Sequence, residues 1–125
     1  MTIALWCVLV AGLMPYVWTG YAKFSSPGFD NNKPREFLAG LEGRGQRANW
    51  AQMNGFEAFP PFAAAVIIAS FVSNIEQTTL DVIALSFITC RFLHGIFYIT
   101  DNANLRSIVW LGGMACWIGI FILSA

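Results

Sequence analysis

Apolar residues dominate four long stretches of this chain, and polar residues gather between them. Residues 1–22 run from Met1 to Ala22 with no charge before Lys23. Further apolar stretches cover about residues 47–73, 79–100 and 105–125. About 20 apolar residues in a helix are enough to cross a bilayer. The pattern therefore predicts an all-α chain, an integral membrane four-helix bundle built as one domain over residues 1–125. The Ser25–Gly45 segment holds Pro27, Gly28 and Pro34 among other turn formers, and it reads as the one long loop. The Ser73–Asp81 and Thr100–Asn104 links are short.

Two of these stretches carry polar residues where hydrocarbon is expected. Arg91, His94 and Tyr98 stand at i, i+3 and i+7, which places them on one helical face. Arg47, Asn54 and Glu57 repeat spacings of seven and three on the second stretch. A charge at the bilayer centre costs a few kcal/mol on insertion scales, so such residues face a protein interior or a wet cavity and mark function. Glu57 lies ten residues past Arg47, roughly 15 Å deeper at 1.5 Å per residue. Arg91 lies nine residues before Thr100, roughly 14 Å from the same surface by the same rise. The matched depth predicts a Glu57–Arg91 ion pair, since pairing offsets the cost of burying either charge. Pro60 removes a backbone donor and frees the carbonyl of Phe56, so a kink is expected beyond Glu57.

Composition sharpens the membrane reading. The chain is 57% hydrophobic and 11% charged, against roughly 25% charged in soluble domains. Seven basic and seven acidic residues cancel, and no basic run is present, so nucleic acid is not an expected partner. The first stretch lacks a basic leader region and a clear cleavage site, and reads as a retained span. Lys23, Lys33, Arg35, Arg44 and Arg47 flank the first connection and Arg106 the third. By the positive-inside rule both face the cytoplasm, with the termini outside, as expected of a bacterial inner-membrane protein. Cys7, Cys90 and Cys116 lie in different stretches without metal-ligand spacing and read as buried thiols. Trp6, Trp18 and Trp117 read as interface anchors and packing residues. A four-span exporter would need a carboxylate in its first span, and Met1–Ala22 has none.

Arg106 and Ser107 open the last stretch. A guanidinium favours a thiolate over a thiol, and a serine hydroxyl can donate to the same sulfur. The pair therefore suits an anion or thiolate at the membrane surface.

Taken in order, RANWAQMNGFEAFPPF (Arg47–Phe62), RFLHGIFY (Arg91–Tyr98) and LRSIVW (Leu105–Trp110) resemble the MAPEG family, the membrane-associated proteins in eicosanoid and glutathione metabolism. The resemblance runs nearly the full length. It implies a homotrimer of four-helix protomers with glutathione, as co-substrate, at the subunit interface near the cytoplasmic face. It assigns Asn54, Glu57, Arg91, His94 and Tyr98 to holding the tripeptide. Arg106, helped by Ser107, would stabilise a thiolate that attacks a lipophilic electrophile arriving from the bilayer. Lys23 would reach a glutathione carboxylate from the neighbouring subunit. Two departures weaken carboxylate recognition: Trp50 and Met53 stand where several members carry arginine, leaving Arg47, one turn away, as a substitute. The family also holds a lipid-binding member without catalysis, so a non-catalytic lipid-binding or scaffolding role is the alternative to a transferase or peroxidase.

Overall fold

The structure is a computed structural model that describes all 125 residues. It is entirely helical: α1 (Ile3–Phe24), α2 (Pro34–Ala39), α3 (Gly43–Val72), α4 (Gln77–Ile99) and α5 (Ala103–Ser124). The four long helices are each long and apolar enough to cross a membrane. α1 lies mainly against α3 and α5 mainly against α4, and α3 and α4 also pack on each other.

The segment read as a loop is not wholly irregular. Its centre is α2, with Pro34 in the first turn and Gly40 just past the end, the arrangement expected of a short helix. Leu38 of α2 and Leu41 beyond it are buried against the bundle. α3 starts at Gly43, before the apolar stretch begins, because hydrogen bonding rather than hydropathy sets where a helix starts. It runs unbroken through Pro60 and Pro61.

Two apolar clusters hold the bundle. One joins Cys7 and Ala11 of α1, Phe62 and Val66 of α3, Leu80 and Phe87 of α4 and Ile120 of α5. Within it the rings of Phe62 and Phe87 stack with centroids 3.8 Å apart. The other, at the end near α2, joins Trp18, Ala22, Leu38, Leu41, Ala48, Ala51 and Ile99. Small residues let the helices approach closely, as is common where membrane helices pack. At Gly55 a Cβ would lie 2.9 Å from the ring of Pro15, and at Gly95 it would run into the indole of Trp18. α1 is thus keyed into α3 and α4 by a proline and a tryptophan, so Trp18 serves packing. Thr19 also donates a hydrogen bond to Gln52 across the α1–α3 contact.

The helix ends are set by side chains. The Thr2 hydroxyl accepts from the Leu5 amide, and Asp81 of α4 accepts from the Ala4 amide at 2.8 Å. A carboxylate at a helix N-terminus satisfies an orphan donor and opposes the positive end of the macrodipole. Between α4 and α5, Asp101 adopts φ 61°, the left-handed region usually left to glycine and tolerated by Asp. Asn102 then caps α5 by accepting from the Leu105 amide. This tight reversal brings the start of α5 back beside the end of α4.

Candidate functional site

Between the two apolar clusters lies a polar layer, contributed by the middle of α3, the second half of α4 and the first turns of α5. Arg91 is 7% exposed and His94 3%, the only charged or polar side chains of the buried set. The Arg91 guanidinium donates to the Asn54 side-chain oxygen at 2.6 Å. The Asn54 amide donates in turn to Glu57 at 3.3 Å. Arg91 and Glu57 therefore do not form the direct ion pair that their depths suggest. The depth match holds, but Asn54, one turn before Glu57, stands between them and transmits the interaction. Glu57 itself is exposed on the protomer surface. Gly113 of α5 lets that helix close over the stem of Arg91, where a Cβ would sit 3.4 Å from Cδ.

Two turns further along α4, the ring of Tyr98 is surrounded. His94 meets it edge-on at 5.4 Å, Trp50 lies 6.2 Å away at 53°, and the Arg106 guanidinium sits over it at 4.5 Å. Cation–π stacking of this kind is worth about 0.5–1 kcal/mol when exposed and more when desolvated. The α4–α5 reversal makes the contact possible, since it returns Arg106 to the level of Tyr98. His94, Tyr98, Arg106 and Ser107, with Asn54 and Trp110, line one open recess of about 220 Å³.

Two further recesses adjoin it. One, of about 230 Å³ between α3 and α5, has Arg91, Asn54 and Glu57 on its polar side and Pro61, Phe87, Trp110, Met114 and Trp117 on its apolar side. The other, of about 360 Å³, is walled by Trp50, Met53, Asn54, Glu57 and Tyr98. Asn54 belongs to all three.

Seven of the nine residues singled out in the sequence thus converge: Asn54, Glu57, Arg91, His94, Tyr98, Arg106 and Ser107. Lys23 and Arg47 stand apart. Lys23 lies over the Phe29 ring at 4.7 Å. Arg47 donates from Nε to the Ile99 carbonyl at 3.1 Å, capping the C-terminal end of α4. Trp110 lines two recesses, yet the sequence pattern does not single it out. Its signal is its place one turn after Arg106 and Ser107 on the same face of α5.

Four membrane-length apolar helices in one bundle, three of them joined by a polar layer, make this an integral membrane protein. The family model for the MAPEG family matches residues 3–125, so the chain belongs to the MAPEG family. It is a membrane protein of the family associated with glutathione and eicosanoid metabolism. No curated protein and no solved structure matches it.

Proposed function

We propose that the protein is a membrane-embedded glutathione-dependent transferase or peroxidase acting on lipophilic electrophiles. The observation that carries this reading is the convergence of Arg106, Ser107, His94 and Tyr98 on one open recess beside a half-apolar one. Glutathione brings two carboxylates, one ammonium and a thiol. The layer offers two guanidinium groups, Arg91 and Arg106, and one carboxylate, Glu57. Asn54 links two of these three through its amide.

In this reading Arg106 lowers the thiol pKa by favouring the thiolate, and the Ser107 hydroxyl donates to the sulfur. A tenfold gain in thiol acidity corresponds to about 1.36 kcal/mol of preference for the thiolate. In transfer, the thiolate forms the new C–S bond as the leaving group departs with its electron pair. In peroxide reduction, the thiolate takes the distal oxygen, an alcohol leaves, and a second glutathione converts the sulfenic acid to the disulfide and water. The recess walled by Trp110, Met114 and Trp117 receives the apolar part of the electrophile.

The assembly belongs to the same proposal. Glu57 is exposed at mid-span, and a homotrimer would cover it, with Lys23 of one protomer turned towards the site of the next. Lys23, Lys33, Arg35, Arg44, Arg47 and Arg106 cluster at one end of the bundle, which supports a cytoplasmic first connection and termini outside, in a bacterial inner membrane.

The test is calorimetric titration of glutathione into the detergent-purified protein, beside Arg106→Ala and Arg91→Ala. Saturable binding, weakened about tenfold or more in each variant, is the expected result; tenfold equals about 1.4 kcal/mol. No binding at millimolar glutathione would replace this reading with a non-catalytic, lipid-binding one.

A further inference from the structure

The three cysteines are not equivalent. Cys7 is buried in the larger apolar cluster, whereas Cys90 of α4 and Cys116 of α5 are half-buried free thiols. Both stand on the seam between α4 and α5, and neither lines a recess of the polar layer. Two glycines make the seam close there. A Cβ added at Gly112 would lie 3.0 Å from the Cys90 sulfur, and one added at Gly113 would lie 3.8 Å from the Cys90 Cβ. Cys90 therefore points at the α5 backbone over this glycine pair. Cys116 follows Gly112 by four residues and Gly113 by three, which puts it on their face of α5, one turn on.

Helical side chains lean toward the N-terminus of their own helix. α4 and α5 are joined by a tight reversal and run antiparallel. The lean therefore carries Cys90 toward the level of Cys116, and Cys116 back toward Gly112, where the Cys90 sulfur sits. The two thiols converge within electrostatic reach of each other. A disulfide needs Cβ atoms about 3.5–4.5 Å apart. The seam has room for the slide that brings them there, since a Cβ at Gly119, one turn beyond Cys116, would meet nothing within 4 Å. Thr89 beside Cys90 and Ala115 beside Cys116 are exposed, so the seam is open to molecules dissolved in the bilayer.

We infer that Cys90 and Cys116 form a redox pair, a dithiol that a lipophilic hydroperoxide closes to a disulfide between α4 and α5. One sulfur takes the distal peroxide oxygen, the O–O bond breaks, and the alcohol leaves with the thiol proton. The other sulfur attacks the sulfenic sulfur; the S–S bond forms, the S–O bond breaks, and water leaves with the second proton. The two thiols lose two electrons and the peroxide gains them. The link fixes α5, the helix that carries Arg106 and Ser107, at one register on α4. The inference stands without the glutathione reading, since no glutathione takes part in the step.

The test exposes the full-length protein in lipid nanodiscs, without glutathione, to cumene hydroperoxide and reads the product by non-reducing peptide mapping. A linked pair of peptides holding Cys90 and Cys116 is expected, lighter than the two reduced peptides by two hydrogens. A rise in unfolding temperature accompanies it, because the link constrains the unfolded chain. Both changes reverse with dithiothreitol after solubilisation, and both persist in Cys7→Ala. Cys90→Ser and Cys116→Ser are each expected to lose the link and to gain oxygen on the cysteine that remains. Thermal unfolding before treatment confirms that these variants are folded. Oxygen adducts on unlinked cysteines of the intact chain, a link between two copies, or thiols left unchanged overturns the pair.

Discussion

Asn54 decides how the charges of the polar layer are satisfied. Arg91 is nearly sealed from solvent, and its guanidinium has one side-chain partner, the Asn54 oxygen. Removing the partner of a buried charge costs roughly 3–5 kcal/mol, far more than the same charge costs when paired. Asn54→Ala is therefore expected to lower unfolding stability in detergent by an amount approaching that range. Glu57→Gln, which keeps an acceptor for the Asn54 amide at an exposed position, is expected to cost less than about 1 kcal/mol, the usual net worth of one hydrogen bond. Equal losses in the two variants would restore the direct Glu57–Arg91 pair and dismiss the bridge. The sequence carried half of this arrangement. Helical rise placed Glu57 and Arg91 at one depth, because rise is a backbone property that spacing reveals. Which side chain fills the gap between two helices depends on their rotation about their axes, and spacing along one helix does not hold that information. Arg47 shows the same limit: its spacing put it on the stripe, but the end of α4 offered it an unpaired carbonyl at Ile99, and it turned there.

At the scale of elements, the four spans were legible because a bilayer imposes length and apolarity together. α2 was not, since six residues are too few for a helical period to appear and the surrounding Pro and Gly read as a loop. Nor was the keying of α1 into its neighbours, which rests on Trp18 meeting Gly95 and Pro15 meeting Gly55 across the bundle. Gly95 is flanked by His94 and lies four residues past Arg91, so the fit of α1 also fixes the α4 face that carries the site. A methyl group added at Gly95 runs into the rigid indole rather than a flexible chain end. Gly95→Ala is expected to destabilise the protein by about 1–3 kcal/mol, the usual cost of overpacking. Trp18→Leu in the same chain should return part of that loss, giving a non-additive double-mutant cycle measured by thermal unfolding. Additive effects would mean that the two residues do not touch.

For the whole molecule, the decisive feature is a carboxylate facing outward from the middle of a membrane helix. α3 presents Trp50, Met53 and Glu57 on its exposed surface, and α5 fully buries only Gly113 and Ile120 within the protomer. Apolar exposure is what lipid accepts; an exposed Glu57 is not, since a mid-membrane carboxylate facing lipid costs a few kcal/mol. Two arrangements follow, and they differ in sign under one substitution. If Glu57 faces lipid in an isolated protomer, Glu57→Leu removes the cost and raises thermal stability. If Glu57 faces the polar layer of another copy and the ligand held there, the same substitution removes a partner from that interface. It then lowers both stability and the fraction of assembled protein. The second outcome is expected, with light scattering in detergent giving a protein mass three times 13.8 kDa for the intact chain and a shift towards single protomers for Glu57→Leu. A monodisperse single protomer that is stabilised by Glu57→Leu would rule out the homotrimer.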